Sequence, residues 1–383
     1  MTILQDDLTE ITVQNAPVCE AVLSRAAFVC ESDAAWNSLV DNSECQDIYY
    51  RPGYVRAYET AGSDRAVAVT VAAGGSTFLV PLIIRPLRQI SFGHEMDGYD
   101  AITPYGYGGL LHVDRPLENS QDTIQEFCDS LRGWCLENGV VSILLRLHPL
   151  LQQEEWFHRS QSGVILAPYG RTVALDLHDW NENKDRLSGL SRGRRADLNR
   201  AHRHLRLTWA SESPEHIGEH LLHFQKIYEE RMKELEANKS YFFPPEYYFS
   251  LASGLGRDFD VSLAWSGDEL VAGIIYMAGP QFAHAHLTGA NETGRLYGAS
   301  TMLINEGARW ARRRGCRWLH LGGGKSGEDA LFEFKKTFGG SLFQYSSVWI
   351  IADPMRYERL VSIRRAQQGL PEPRANFFPE YRA

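Results

Sequence analysis

Hydrophobic and polar positions along this chain alternate between helical and strand-like texture. After a polar lead, Trp36, Leu39 and Val40 supply one apolar face behind Ser32, a residue able to cap, which predicts a helix over Ser32 to Val40. β-Branched runs at Ala66 to Ala72 and Thr77 to Ile84, separated by Gly74-Gly75, predict a hairpin. From Gln121 to Asn138 the apolar positions Ile124, Phe127, Cys128, Leu131 and Trp134 recur at helical spacing. They stop at Asn138-Gly139, a left-handed C-terminal cap, before a strand at Val140 to Leu147. The same helix, glycine stop and strand recur at Met302 to Arg314, Gly315 and Cys316 to Leu321, and the echo suggests two similar halves.

Between these segments Ile217, Leu221, Phe224, Tyr228, Met232 and Leu235 step by three and four, behind Ser213-Pro214, where serine can cap and proline can occupy the first turn. Asp260 to Trp265 and Leu270 to Met277 read as a hairpin around Gly267-Asp268. The strand Gln281 to Thr288 follows. Period two puts Phe282, His284, His286 and Thr288 on one face and Ala283, Ala285 and Leu287 on the other. The pattern divides the chain near residue 170, within about ten residues: residues 1–170, residues 171–360, and a tail at 361–383.

At 383 residues the chain exceeds what one core ordinarily supports, which agrees with two domains. Its 44% hydrophobic and 23% charged residues fit a globular protein and exclude disordered, collagen-like and coiled-coil classes, and the mixed helix and strand segments read as α/β (α+β). The first residues carry acids where a secretory signal carries bases, and no window offers roughly 18 uninterrupted apolar residues, so a cytoplasmic location without a membrane span is expected. Cys19, Cys30, Cys45, Cys128, Cys135 and Cys316 are scattered, with no pair or Cys/His cluster at zinc spacing; they read as packing thiols, and no metal is expected. A net charge of −9 argues against a general nucleic-acid binder, so local patches must carry any such role.

The most informative segment is WLHLGGGKSGEDALFEFKKTFGG, residues 318–340: a strand, a glycine-rich turn and a short helix beginning near Glu328-Asp329. Gly322, Gly323 and Gly324 let backbone approach a ligand closely, and free amides at the helix start can hold an anion or an oxyanion. The Gly324-Lys325-Ser326 triplet does not make a P-loop, because that motif needs glycine at 319 and finds Leu319. No Ser/His/Asp or Cys/His nucleophile set is legible.

The strand ending HLGGG (320–324) with LFEFKKTFGG (331–340) resembles the C-terminal signature of Fem-type aminoacyltransferases and the Mig-14-like branch of the acetyltransferase (GNAT) superfamily. In the order that family shows stand PYGYGG (104–109), RGRRADLNRAHRHLRL (192–207), YEERMKELEANKSYFF (228–243) and HLTGANE (286–292). The resemblance covers roughly residues 35–358. It implies two tandem GNAT-like domains, each a mixed, mostly antiparallel sheet flanked by helices. It further implies a channel that admits an aminoacyl-tRNA acceptor end and an amine substrate. By motif position, Phe334-Lys335 matches the Phe-Lys pair those enzymes use at the reacting ester, the lysine countering charge on the tetrahedral intermediate and the departing ribose oxygen. Without the resemblance, Lys335 reads as a solvated lysine. The long heptad-patterned arm that some Fem enzymes insert is absent here, which fits arm-less members or relatives with another acyl donor.

The stretch from Arg192 to Arg206 holds six arginines against one acid. Arg194, Arg195, Asn199 and Arg200 are candidate contacts to tRNA phosphates or an anionic acceptor, the alternative being a solvated helix face. Arg309 and Arg312 to Arg314 read as structural, favouring a helix dipole. Arg295-Leu296-Tyr297-Gly298-Ala299-Ser300 is a degenerate coenzyme A cradle. Arg295 and Gly298 therefore line either an acyl-CoA pocket or a relic that now receives the tRNA terminus. His286 has the unperturbed pKa to accept an amine proton, or is a plain strand histidine. Tyr241, Phe243 and Tyr248 can shape an acceptor pocket or fill a core, and Asp100 and Tyr105 edge the PYGYGG loop.

These readings lead to an acyltransferase that moves an amino acid from charged tRNA to an amine of a peptidoglycan precursor, a peptide or a small metabolite. It needs no cofactor beyond aminoacyl-tRNA as co-substrate. A CoA-dependent N-acyltransferase on the same fold is the second reading. A catalytically inert binding module is the third, favoured if Lys335 lies far from the cleft between the halves.

Overall fold

The computed structural model describes residues 27–61, 64–92, 96–114, 121–157, 163–325, 327–367 and 377–383. The polar lead, Cys19 and Ser326 lie outside the described residues.

Strand β1 (Ala27–Val29) leads to helix α1 (Asp33–Asn42), whose first turn is held by the Ser32 hydroxyl accepting from the Ala35 amide at 3.2 Å. The one-turn helix α2 (Pro52–Val55) precedes the hairpin of β2 (Arg65–Ala73) and β3 (Ser76–Pro86). Its Gly74-Gly75 turn has φ of +56° and +73°, the left-handed pair that a tight hairpin requires. Then come β4 (Tyr99–Ile102), β5 (Leu111–His112), α3 (Gln121–Glu137) and β6 (Val140–Arg146).

The long strand β7 (Val164–Asp176) leads into the second half, through the small pair β8 (Trp180–Asn181) and β9 (Arg186–Leu187), to α4 (Arg192–His204) and β10 (Arg206–Trp209). Helices α5 (Ile217–Glu234) and α6 (Pro245–Leu255) follow, then strands β11 (Phe259–Ser266), β12 (Glu269–Ala278) and β13 (Phe282–Ala290). The chain continues through α7 (Glu292–Tyr297), α8 (Ala299–Arg313), β14 (Trp318–Gly322), α9 (Ala330–Lys336), β15 (Ser341–Ile351) and α10 (Pro354–Ala366).

All strands but β8 and β9 join one sheet in the order β1-β2-β3-β4-β6-β15-β7-β14-β13-β12-β11-β10, with β5 on β3. Only β4 with β6 and β13 with β14 run parallel, and each of those pairs is spanned by a helix, as a parallel crossover demands. The expected class is therefore present: mixed, mostly antiparallel, helix-flanked and repeated. The longest helix among the described residues is α5 at 18 residues, so none of them forms a long helical arm.

The two halves do not form separate sheets. β7 is the seam, pairing with β15 along Val164–Ala174 and with β14 at Val173–Asp176, and residue 170 lies inside it. After β15 the chain returns to the first half, where Leu360, Val361 and Tyr381 pack on Leu87, Ile90 and Val141.

Two local expectations are corrected. α5 begins at Ile217 after a 3-10 turn over Pro214–His216, and Ser213 makes no side-chain cap bond. In β13 the alternation breaks at His286. The register steps from Ala285 opposite Tyr276 to Leu287 opposite Ile275, so His286 is the extra residue of a bulge. Leu287 consequently joins the core of Ile275 and Met277, whereas Ala283 lies in the core on the other side of the sheet, with Ala285 packed against it.

Candidate active site

The site forms where β14 ends. Helix α9 is started by Asp329, one carboxylate oxygen accepting the amides of Leu331 and Phe332 at 3.0 Å each and the other accepting that of Lys325 at 2.7 Å. The last turn of this helix carries Lys335 back over the glycine turn, where its half-buried ammonium donates to the Gly323 carbonyl at 2.7 Å. Burial pulls the Lys335 pKa down to about 8, an effect that Asp329 partly offsets.

Gly322 sits at φ +75°, and a Cβ there would lie 3.0 Å from the Tyr107 hydroxyl and 3.5 Å from Lys335 Nζ. The missing side chain thus lets a phenol and an ammonium close on the Gly322 backbone. Tyr107 is anchored from below: its hydroxyl accepts from the Gly323 amide, and its ring meets His320 at 4.7 Å and Tyr345 at 4.9 Å. Burial pushes the Tyr107 pKa up to about 12, against the lowering effect of the Gly323 amide, so it stays a phenol and a donor at neutral pH. Gly324 has no room for a Cβ against Asp329 and the Gly327 carbonyl.

Phe334 and Lys335 diverge. Lys335 turns to Gly323, while the Phe334 ring lies under the Arg194 guanidinium at 4.8 Å and against Phe338 at 5.3 Å. Arg194 also donates to Thr301 Oγ1 at 3.1 Å, and both Arg194 and Arg200 close on Asp197. Of the basic stretch, Arg192, Arg195, Asn199 and Arg203 remain exposed.

The cradle at the start of α8 is covered by this helix. Gly298 has φ +78°, and a Cβ on it would meet Asp197 Cβ at 2.8 Å and the Asp197 carbonyl at 3.1 Å. Arg295 points elsewhere, donating to Glu234 at 3.0 Å and to the Ala290 carbonyl at 2.8 Å. Arg309 and Arg312 pair with Asp185 and Glu182, and Arg314 stacks on Trp310 at 4.0 Å, all structural contacts.

Tyr105 and Tyr241 meet edge to face at 5.9 Å, and Tyr105 stands 5.7 Å from the His286 ring and 6.3 Å from that of Phe243. The bulge delivers His286 into this cluster, where its Nε2 pairs with the Tyr247 hydroxyl at 2.7 Å. From Tyr247 a chain of hydroxyls runs to Tyr58 at 3.0 Å and Tyr54 at 2.9 Å, and ends on the Tyr105 carbonyl. Burial, reinforced by His284, lowers the His286 pKa to about 3, so the ring is neutral at pH 7. Tyr248 is buried in the core beside Phe224. Asp100 lies outside this group: buried, with Arg85 on one carboxylate oxygen and Arg382 on the other.

The structure therefore brings Lys335, Gly322 to Gly324, Tyr105, Tyr241 and His286 around one region, and sets Phe334, Arg194 and Arg200 on its α4 side. Tyr107 is the member that sequence reasoning passed over, although it stands in the same PYGYGG loop as Tyr105. His320 was passed over too, although it opens the HLGGG motif.

Residues 186–336 match the model of the acetyltransferase (GNAT) domain family. In structure the chain is similar to FemX at 11% identity and a TM-score of 0.64, covering 87% of this chain and 99% of that one. It is also similar to a conserved protein of unknown function from Bacteroides thetaiotaomicron VPI-5482, at 10% identity and a TM-score of 0.52 over 83% and 97% of the two chains. Curated proteins give no match by sequence. Likeness at such identity shows the fold alone, that of FemX, and the domain match, which takes in Lys335 and the glycine turn, supports an acyltransferase.

Proposed function

We propose that the chain forms amide bonds by moving an aminoacyl group from charged tRNA to an amine. The observation that carries this reading is the pair of donors, the Tyr107 hydroxyl and Lys335 Nζ, that face the bare Cα of Gly322. Two donors converging beside the bare Gly322 backbone suit the carbonyl oxygen of an ester better than they suit a nucleophile. In the reaction the amine nitrogen bonds to the ester carbon, and the carbonyl oxygen takes up negative charge between Tyr107 and Lys335. The carbon–ribose oxygen bond then breaks, and the amine proton goes to that departing oxygen. His286, neutral and bonded to Tyr247, serves in this scheme as a hydrogen-bond partner and not as the store of that proton. Tyr105 and Tyr241 would wall the acceptor pocket, and the exposed arginines of α4, Arg192, Arg195 and Arg203, would meet donor phosphates.

The covered α8 start supports tRNA over coenzyme A as donor. A pyrophosphate needs free amides there, and the Asp197 backbone lies directly on Gly298. No described helix is long and apolar enough to cross a membrane, which suits a donor and a synthesis in aqueous surroundings.

Filter binding of the purified protein to a pool of charged tRNA, with acetyl-CoA and decanoyl-CoA as competitors, tests the reading. Retention of particular charged tRNAs in the presence of CoA esters supports it. Saturable CoA binding without tRNA retention replaces it by a CoA-dependent N-acyltransferase.

A further inference from the structure

Behind the aminoacyl site lies a second cluster that acyl transfer does not use. Asp47, at the start of the 3-10 turn Ile48–Tyr50, is buried with no lysine or arginine paired to it among the described residues. Two imidazoles converge on it from distant parts of the chain. His148, just past β6, sets Nε2 at 2.9 Å from Asp47 Oδ2. His284, in β13, sets Nε2 at 2.9 Å from the same oxygen and 3.1 Å from Oδ1. Among the described residues the one further polar contact on the carboxylate is the Tyr49 amide, donating to Oδ1 at 3.2 Å. Both histidines are buried, and neither Nδ1 has a hydrogen-bond partner among the described residues.

We propose that Asp47, His148 and His284 form a binding site for one divalent transition-metal ion of the zinc type. Three arguments carry it. The donor set is two imidazole nitrogens and one carboxylate, a composition suited to zinc and its first-row neighbours. The spacing fits, because ligand atoms about 2.1 Å from one ion at angles of roughly 90° to 110° stand roughly 3.0 to 3.4 Å apart. Here both nitrogen–oxygen distances are 2.9 Å, just under that range, and the two nitrogens lie within 4.8 Å of each other, so a small closing movement seats one ion.

The charge also fits. A buried carboxylate is costly without a cation, and a divalent ion supplies one where no described lysine or arginine pairs with Asp47. The ring geometry allows it: each imidazole faces Asp47 through Nε2, which leaves Nδ1 to carry the ring proton when Nε2 binds a metal. His320, the register partner of His284 on β14, stands further out, its ring 5.5 Å from that of His284 and its nitrogens outside the set of donor atoms within 4.8 Å of one another. Such an ion would fasten the first half, through Asp47 and His148, to the second, through His284. This proposal stands apart from the choice of acyl donor.

The test uses the full chain. Elemental analysis of the protein as purified, then chelator dialysis and titration with zinc alone, should give about one equivalent bound and a raised Tm. Asp47→Asn and His284→Gln should lower zinc affinity at least about 100-fold, while His216→Gln, at an exposed histidine, should leave it unchanged. Wild-type protein that binds no zinc, or variants that bind it as tightly as wild type, would overturn the site. If the variants do not fold, X-ray absorption of the zinc-loaded wild type decides. A first shell of nitrogen and oxygen at about 2.0 to 2.1 Å with imidazole outer shells supports the site, and a sulfur shell or water oxygens alone overturn it.

Discussion

Replacing Lys335 by methionine should move activity and stability in opposite directions. The ammonium is half-buried against the Gly323 carbonyl, and burial drops its pKa from the ordinary 10.5 to about 8. That difference corresponds to about 3 kcal/mol withheld from the fold while the lysine is protonated, at about 1.4 kcal/mol per pH unit. The sign follows from proton counting. Between pH 8 and 10.5 the unfolded chain holds the proton and the folded one does not, so wild-type stability rises with pH across that window. Below pH 8 the cost is present in full.

Methionine fills a similar volume without charge and removes the cost, but it also removes one charged hydrogen bond, worth about 1.5 kcal/mol. A net gain of roughly 1 to 2 kcal/mol at pH 7 remains. The gain should fade as pH climbs from 8 towards 10.5. Turnover should fall at least about tenfold and up to about a thousandfold, the range for losing one donor to an oxyanion. Wild-type turnover itself should decline above pH 8 as the ammonium is lost. Single-turnover transfer of labelled amino acid from charged tRNA to hydroxylamine, beside thermal melts at pH 7 and pH 10, reads both quantities. Wild-type turnover in the variant would refute the role. A lower Tm at pH 7 together with lost turnover would show that Lys335 acts by holding the turn together.

Three further substitutions separate site from scaffold. Gly322→Ala should lower turnover more than tenfold and stability by about 1 kcal/mol, because its Cβ crowds Tyr107 and Lys335 at a positive φ; kinetics and a melt check it, and full activity would show that these donors are not used. Removing Arg192, Arg195 and Arg203 together should weaken charged-tRNA binding with little change in Tm and flatten its dependence on log salt by about 3, about 1 per phosphate contact; an unchanged salt slope would return that face to solvent. Asp100→Asn should cost about 3 kcal/mol of stability by leaving Arg85 and Arg382 without their shared partner, with turnover of the folded protein intact; lost turnover at unchanged Tm would put Asp100 back at the substrate.

The fold was legible where local chemistry dictates it. The Gly74-Gly75 hairpin, the Gly139 and Gly315 helix stops and the Asp329 start of α9 each rest on a backbone need that a few neighbouring residues declare. What stayed hidden was the joining of the halves. Nothing near β7 signals that β15, some 170 residues later, will pair along it, because sheet register is a property of the partner strand and not of the sequence beside it. The His286 bulge was hidden for a related reason. Period two places His286 correctly up to that point, and only the mismatch with β12, at Ile275 and Tyr276, inserts the extra residue.

The candidate site divides along the same line. Lys335 and Gly322 to Gly324 are neighbours in sequence, so a strand, a turn and a capped helix suffice to bring them together, and the motif exposes them. Phe334 is adjacent as well, yet helical geometry turns it about 100° away from Lys335 and onto Arg194, a consequence of 3.6 residues per turn that motif position alone conceals. Tyr107 reaches the glycine turn from the other half, and Asp47, His148 and His284 are each more than 100 residues from the next. No spacing rule reaches that far, since metal and nucleophile motifs are legible only when one local element presents their members. A buried carboxylate faced by two imidazoles therefore passes through sequence reading as three unrelated polar residues, and only the sheet that aligns β6 and β13 through β15, β7 and β14 turns them towards one another.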